Sequence, residues 1–81
     1  MARQPMHRYY FNITDDYGSL ADNEGTQLTD AIAAQREAEI IARELLVNNI
    51  RSAEPIDDRR VEVRDEGGTV ITSVYLRDLV H

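Results

Sequence analysis

The segment from Asp30 to about Asn49 contains no Gly or Pro and is rich in Ala, Glu, Arg, Leu and Gln, which are strong helix formers. Thr29 or Asp30 would cap such a helix at its N-terminus. Apolar residues recur in the segment at spacings of three and four and so form one stripe: Ala34, Ala38, Ile41, Ala42 and Leu45. In a chain of 81 residues, this long helix leaves room for little besides one sheet and one small core.

The other side of the predicted helix is expected to face solvent. It carries four polar or charged residues: Gln35, Arg36, Glu39 and Arg43. Glu39 and Arg43 stand four apart, with the acid first, which is the order that favours an ion pair within a helix and contributes about 0.3 kcal/mol.

Strand patterns lie on both sides of the helix. Residues 8–14 alternate, and we expect Tyr9, Phe11 and Ile13 to face the core while Tyr10, Asn12 and Thr14 face away. Leu20 and its neighbours could form a short second strand. After the helix, residues 61–64 and 69–75 predict a hairpin around the turn 65–68. The sequence therefore predicts an α+β domain of two layers, in which a three- or four-stranded antiparallel sheet packs on one long helix in the order β-(β)-α-β-β.

The register of the hairpin decides which side of its last strand is buried, because a shift of one residue reverses every side chain. A type I turn that starts at Asp65, with Gly68 in the left-handed conformation, would pair Asp65 with Thr69. It would place Ile71, Ser73 and Tyr75 on the face of Val61 and Val63. A two-residue turn would instead place Val70, Thr72 and Val74 there. We favour the first turn, since Asp suits its first position and Gly its fourth.

The favoured register leaves an apolar row on the side of the sheet away from the helix. This row comprises Val70, Thr72 and Val74, joined by Tyr10 of the first strand. Such a patch predicts an interface, either in a homodimer or with another protein. The alternative is that these are scattered surface residues without a partner. The primary functional hypothesis is accordingly a small non-enzymatic interaction module, homodimeric through this open sheet face.

The composition excludes several classes of function. All nine basic residues are Arg, so chemistry that needs a lysine is excluded, and the absence of Cys excludes disulfides and thiolate ligands. A net charge of −6 repels nucleic acid and anionic membranes. The N-terminal residues lack the apolar run of a signal peptide, and no segment is apolar enough to cross a membrane. We therefore expect a cytoplasmic protein with a flexible N-terminus at residues 1–7, one domain at 8–77 and a tail at 78–81.

Candidate catalytic residues and cofactor motifs are not evident. The two histidines, His7 and His81, lie near opposite ends of the sequence, so no serine has an obvious general base, and we expect no enzymatic activity and no cofactor.

The acidic loop, residues 15–25, supplies hard oxygen donors but not the spacing of an EF-hand. We expect its Asp and Asn side chains to bind the backbone of the loop, with Gly18 and Gly25 in unusual conformations. No metal ligand is therefore assigned. The alternative hypothesis is a small-ligand or metal-binding accessory protein that uses this loop.

Several short motifs resemble those of a family of small domains of unknown function found in alphaproteobacteria. The motifs occur in the family's order over about residues 8–75: Arg8 to Phe11, Asp15 to Gly18, Asp22 to Asp30, Ala33-Ala34, Ala42 to Leu46, and Val61 to Gly68. One departure is Asn12, where family members often carry a histidine or another polar residue. The resemblance implies the same fold and a bacterial setting, and it implies no activity.

Overall fold

One antiparallel sheet packs against one long helix in residues 5–80, which are the residues that this computed structural model describes. The elements follow in the order β1 (His7–Asp15), β2 (Gly18–Leu20), β3 (Thr26–Leu28), α1 (Ala31–Ser52), β4 (Arg60–Arg64), β5 (Val70–Tyr75) and a 3-10 helix (Leu76–Leu79). The predicted α+β class is confirmed, and the sheet has one more short strand, β3, than the sequence indicated.

The first strand, β1, organises the sheet. Its C-terminal end pairs with β2, from Ile13 opposite Leu20 to Asp15 opposite Gly18, and its N-terminal end pairs with β3, where His7 lies opposite Leu28. It also pairs with β4, which in turn pairs with β5, so that the strand order is β2-β1-β4-β5 with β3 on β1. Every residue of β1 therefore has a partner on a neighbouring strand.

Helix α1 begins at the predicted cap. The backbone N–H of Ala33 donates to Asp30 Oδ1 at 2.8 Å. Ala34, Ala38 and Ala42 are fully buried, while Ile41 and Leu45 pack against the same core and are partly buried. The predicted stripe is therefore the buried face. No helix within residues 5–80 is long and apolar enough to cross a membrane.

The helix continues to Ser52, beyond the predicted end near Asn49. It stops where Ala53 adopts a left-handed conformation, with φ of 54°, and the N–H of Ala53 donates to the Ile50 carbonyl at 3.2 Å. Asn49 is buried, and its side chain donates to the Pro55 carbonyl at 3.2 Å and accepts from Arg59 at 3.0 Å. It thus joins the end of α1 to the connector before β4.

The core lies between α1 and the sheet. Besides the three alanines of α1, its buried apolar side chains are Tyr9, Phe11, Val61, Val63, Val74 and Leu76. The predicted inward direction of Tyr9 and Phe11 is confirmed, whereas Ile13, next in the same row, is only partly buried. Small alanine side chains let the helix backbone lie close to the sheet, so large side chains enter the core mainly from the strands.

The hairpin combines the predicted turn with an unexpected bulge. The N–H of Asp65 donates to the Thr69 carbonyl at 3.0 Å, and Gly68 is left-handed with φ of 84°. The register then shifts, since Arg64 pairs with Val70 but Val63 pairs with Thr72, which leaves Ile71 as the extra residue. A bulge of one residue reverses the facing of the strand beyond it. The predicted outward direction of Thr72 and Val74 is therefore wrong.

The predicted N-terminal segment, residues 1–7, and the predicted tail, residues 78–81, lie only partly within the described residues. Residues 1–4 and residue 81 lie outside them. His7, assigned by the sequence to the N-terminal segment, is the first residue of β1, and Asp78 and Leu79, assigned to the tail, lie in the 3-10 helix. Leu79 packs against the core and is partly buried.

Candidate functional site

The four residues of the predicted interface do not share a face. Val74 is only 7% exposed and belongs to the core. Thr72 lies on the helix side, where its hydroxyl donates to Gln35 Oε1 of α1 at 2.7 Å. Tyr10 and Val70 remain on the open side, each paired with Arg64 across the sheet. The bulge therefore divides the predicted apolar row between the two faces.

The open face of the sheet is polar. Because Val61 and Val63 of β4 point into the core, the alternate residues Arg60, Glu62 and Arg64 take the other side. Arg64 forms an ion pair with Glu62 at 2.8 Å. The Arg60 guanidinium lies 5.5 Å from the centre of the Tyr75 ring, within the range of a cation–π contact. These charged side chains contact a neighbour on the same face, and Val70, which is 43% exposed, adds one large apolar side chain there.

Asp22 organises the middle of the acidic loop. Its carboxylate accepts hydrogen bonds from the backbone N–H groups of Phe11, Glu24 and Gly25 at 3.0 to 3.2 Å, and its own N–H donates to Asn12 Oδ1 at 2.9 Å. Partial burial raises the pKa of this carboxyl, but the three N–H donors outweigh burial, and the net pKa is lowered. Asp22 thus bridges β1 to the loop between β2 and β3.

Asp15 has a similar role at the turn between β1 and β2. Its Oδ1 accepts from the N–H groups of Tyr17 at 2.8 Å and Gly18 at 3.1 Å, while Arg59 lies 3.5 Å from Oδ2. The Tyr17 N–H is the main reason that the pKa of Asp15 is lowered, with the Gly18 N–H and Arg59 adding to it. Among residues 5–80, no three His, Asp or Glu side chains are grouped so as to hold a metal ion. Asp15 and Asp22, two of the carboxylates of the acidic loop, instead bind backbone N–H groups and stabilise the loop.

Two further carboxyl groups contact each other: Asp16 in the turn between β1 and β2, and Asp58 in the segment before β4. A hydrogen bond with Asp58 raises the pKa of Asp16, and the same contact lowers the pKa of Asp58. Arg77 also lies 2.6 Å from Asp58. Asp16 is exposed, so this pair links two loops at the surface.

The clearest unpartnered apolar surface lies on α1. Four aliphatic side chains on the helix are between 48% and 69% exposed: Ile32, Ile40, Val47 and Ile50. At 3.6 residues per turn, they fall on the side opposite the buried alanines, with Arg36 and Arg43 between them. We call these six residues the outer face of α1.

The sequence contained a signal for this outer face. Residues 32, 36, 40, 43, 47 and 50 are spaced by three or four, as in the alanine stripe, but they are out of phase with it. The alanine stripe accounts for one core face, whereas Arg36 and Arg43 are typical of a solvated side. Four aliphatic residues out of phase with the buried stripe predict a second, uncovered apolar face on the same helix.

The ion pair predicted between Glu39 and Arg43 on α1 is not found. Gln35 donates to Glu39 Oε1 at 3.2 Å, and within residues 5–80 neither Arg36 nor Arg43 lies within 4 Å of an acidic side chain. The predicted ion pair between Glu39 and Arg43 of one chain is therefore not formed. Both groups remain on the surface of the helix, with Glu39 half-buried and Arg43 exposed.

Comparison with known proteins gives a family but no activity. A family model described as a domain of unknown function, DUF6894, matches residues 8–77. Neither the search of curated proteins nor the search of solved structures finds a match. The matched residues include all five strands except His7, the first residue of β1. They also include α1 and the first two residues of the 3-10 helix. The chain therefore belongs to the DUF6894 family of domains of unknown function.

Proposed function

We propose that this domain is a small non-enzymatic interaction module that binds an amphipathic helix of a protein partner along the outer face of α1. The observation that carries the proposal is the group of four exposed aliphatic side chains on one side of a helix whose other side is buried in the core. Single exposed apolar residues are normal on protein surfaces, whereas several on one face of a helix indicate an interaction site.

The shape and charge of the outer face favour a helix as the bound element. Side chains spaced by three and four form ridges, and ridges of this kind pack best into the grooves of a second helix. Ile40 and Val47 lie near the middle of the face, and Ile32 and Ile50 lie at its ends. Arg36 and Arg43 favour a partner helix that carries acidic residues beside its apolar stripe.

The polar open face of the sheet supports binding less well. Its arginines already contact Glu62 or Tyr75, and a partner would have to replace these contacts. Asp15 and Asp22 of the acidic loop are likewise engaged by backbone N–H groups. Burial of the four aliphatic side chains of the outer face requires no such contact to be broken, and aliphatic area removed from water contributes about 25 cal/mol per Å².

Site-specific photocrosslinking in cells of the source organism tests the proposal. A photoreactive aliphatic residue replaces Val47 in one variant and Val70 in a matched control, since both are valines of similar exposure, 50% and 43%, on opposite faces of the domain. We expect protein adducts from position 47, and we expect the crosslinked peptide to have apolar residues spaced by three and four. Adducts from position 70 alone would overturn the proposal in favour of the open sheet face. Equal yields at the two positions, or none, would also overturn it.

A further inference from the structure

We infer that the helix bound by the outer face is α1 of a second copy of this chain, packed antiparallel to the first. This inference rests on the proposed function, since it names the partner for the same surface. The argument is that α1 is complementary to itself when one copy is turned end for end.

The complementarity begins with a symmetric spacing. Residues 32, 36, 39, 43, 46 and 50 are separated alternately by four and three, and this spacing reads the same in both directions about residue 41. In an antiparallel pair with its two-fold axis at this point, Ile32 meets Ile50 of the second copy, and Arg36 meets Leu46 of the second copy. Alternation of three and four is the spacing with which the side chains of two helices interdigitate.

The charges select the antiparallel direction. Glu39 of one copy meets Arg43 of the other, and the two-fold axis repeats this ion pair, so both charges that lack a mutual contact within one chain gain a partner. A parallel pair would instead bring Glu39 against Glu39 and Arg43 against Arg43, and such contacts between like charges are unfavourable. The half-buried position of Glu39 restricts its side chain and strengthens this preference.

The remaining aliphatic residues of the outer face fit the same pairing. Ile40 lies beside the two-fold axis and meets Ile40 of the second copy, while Val47 meets Ala33 of the second copy. Arg36 can lay its aliphatic stem on Leu46 of the second copy and keep its guanidinium in water. All four exposed aliphatic side chains of α1 are then covered by one partner.

A groove beside α1 adds to the contact. Ile32 lines it together with Ile71, the bulged residue of β5. Ile50 of the second copy, which meets Ile32, would enter this groove and find apolar surface on the helix and on the sheet edge. The bulge thus contributes an apolar wall to the interface.

Sedimentation equilibrium of the purified chain, from micromolar to millimolar concentration, tests the inference. We expect the mass of two copies. Glu39→Arg or Arg43→Glu alone should raise the dissociation constant ~10-fold or more, because each change places two like-charge contacts at the axis. The double variant Glu39→Arg, Arg43→Glu should restore dimerisation, because the reciprocal pairs form again with their signs exchanged.

A charge change elsewhere on α1 supplies the control. Glu44→Arg alters the net charge by the same amount as Glu39→Arg, but residue 44 lies about 140° further around the helix. Its dissociation constant should equal that of the wild type. Circular dichroism of each variant confirms that the helix is retained, so that a change in mass reports association.

Cysteine substitution tests the direction of the pair, since the chain has no cysteine of its own. With a short bifunctional thiol reagent, Ile40→Cys should crosslink to itself in the dimer. Ile32→Cys should not, because residue 32 faces residue 50 of the second copy. Crosslinking of Ile32→Cys to itself would show a parallel pair and overturn the antiparallel arrangement.

Failure of this inference can be told apart from failure of the proposed function. A monomer at every concentration, or a double charge variant that does not recover, would overturn the assignment of a second copy. If position 47 still gave adducts with a helix of another protein in cells, the proposed function would stand without it. Loss of both results would overturn both.

Discussion

At the scale of single residues, Asp22 and Gly25 determine the conformation of the acidic loop. Asp22 accepts three backbone hydrogen bonds, and Gly25 occupies the left-handed region with φ of 72°. The sequence predicted both roles, because Asp commonly binds nearby backbone N–H groups and Gly adopts positive φ at no cost. It was wrong about Gly18, whose φ is not positive.

Replacing Gly25 with Ala should destabilise the domain by about 2 kcal/mol or more, since a side chain is strained at this φ and its Cβ would meet crowded atoms. An added Cβ would lie 2.8 Å from Arg8 Cγ and 2.9 Å from the Tyr9 carbonyl oxygen. Gly18→Ala is the control, because a Cβ there meets nothing within 4 Å. Urea denaturation of the two variants should give clearly different midpoints; equal midpoints would contradict the crowded environment of Gly25.

Replacing Asp22 with Asn should lower the free energy of unfolding at neutral pH by about 1–2 kcal/mol, because one backbone N–H loses its acceptor and the others lose a charged one. The folded state lowers the pKa of Asp22 below its value in the unfolded chain, about 3.9. The stabilisation is therefore complete above about pH 4 and is lost as the pH falls through the folded-state pKa. Denaturation at a series of pH values should show the two proteins converging in acid. A constant difference down to pH 2 would argue against the charged hydrogen bonds.

At the scale of elements, the features that depend on adjacent residues were predicted from the sequence, and the features that depend on contacts between elements were not. The cap at Asp30 and the turn at Asp65 to Thr69 depend on adjacent residues, and both formed as predicted. The end of α1 and the bulge at Ile71 depend on tertiary contacts. Asn49 remains helical because Arg59 and the Pro55 carbonyl bind its side chain. No local sequence pattern predicts those partners.

The left-handed Ala53 that ends α1 offers a stabilising substitution. Ala53→Gly should raise the free energy of unfolding by about 0.5–1 kcal/mol, because Gly adopts φ of 54° without the steric cost that Ala has there. In a domain of this size, such a change raises Tm by roughly 2–8 °C. Ala21→Gly, in an exposed loop without positive φ, is the control and should leave Tm unchanged or lower it. Thermal unfolding that ranks Ala21→Gly above Ala53→Gly would contradict the cap geometry.

At the scale of the whole molecule, one small core holds both layers together. An 81-residue domain has a free energy of unfolding of about 4–12 kcal/mol, so that loss of a single core contact can unfold much of the population. The α+β class and the buried face of α1 were predictable, because periodicity reports which side of an element is apolar. The outer face is harder to predict, since its apolar residues are interrupted by arginines, and their exposure depends on no other element of residues 5–80 packing over them.

Two valines of β5 should respond very differently to a charge. Val74→Glu should destabilise the whole domain by about 3 kcal/mol or more, because the carboxylate would enter the core without a partner. Val70→Glu should cost about 0.5 kcal/mol or less, because that side chain is 43% exposed on the open face. Circular dichroism during heating would distinguish them. Similar melting curves would contradict the bulge and restore the uninterrupted register.

The position of β1 between its neighbours also suggests the order in which the domain folds. Its contacts with β2 and β3 close short loops, whereas its ladder with β4 joins residues separated by the whole of α1. Short loops close faster and at a smaller entropic cost than long ones. We expect the pairing of β2 and β3 with β1 to form and break rapidly before the domain is complete. The pairing of β4 with β1, with the helix already in place, is expected to be the rate-limiting step of folding.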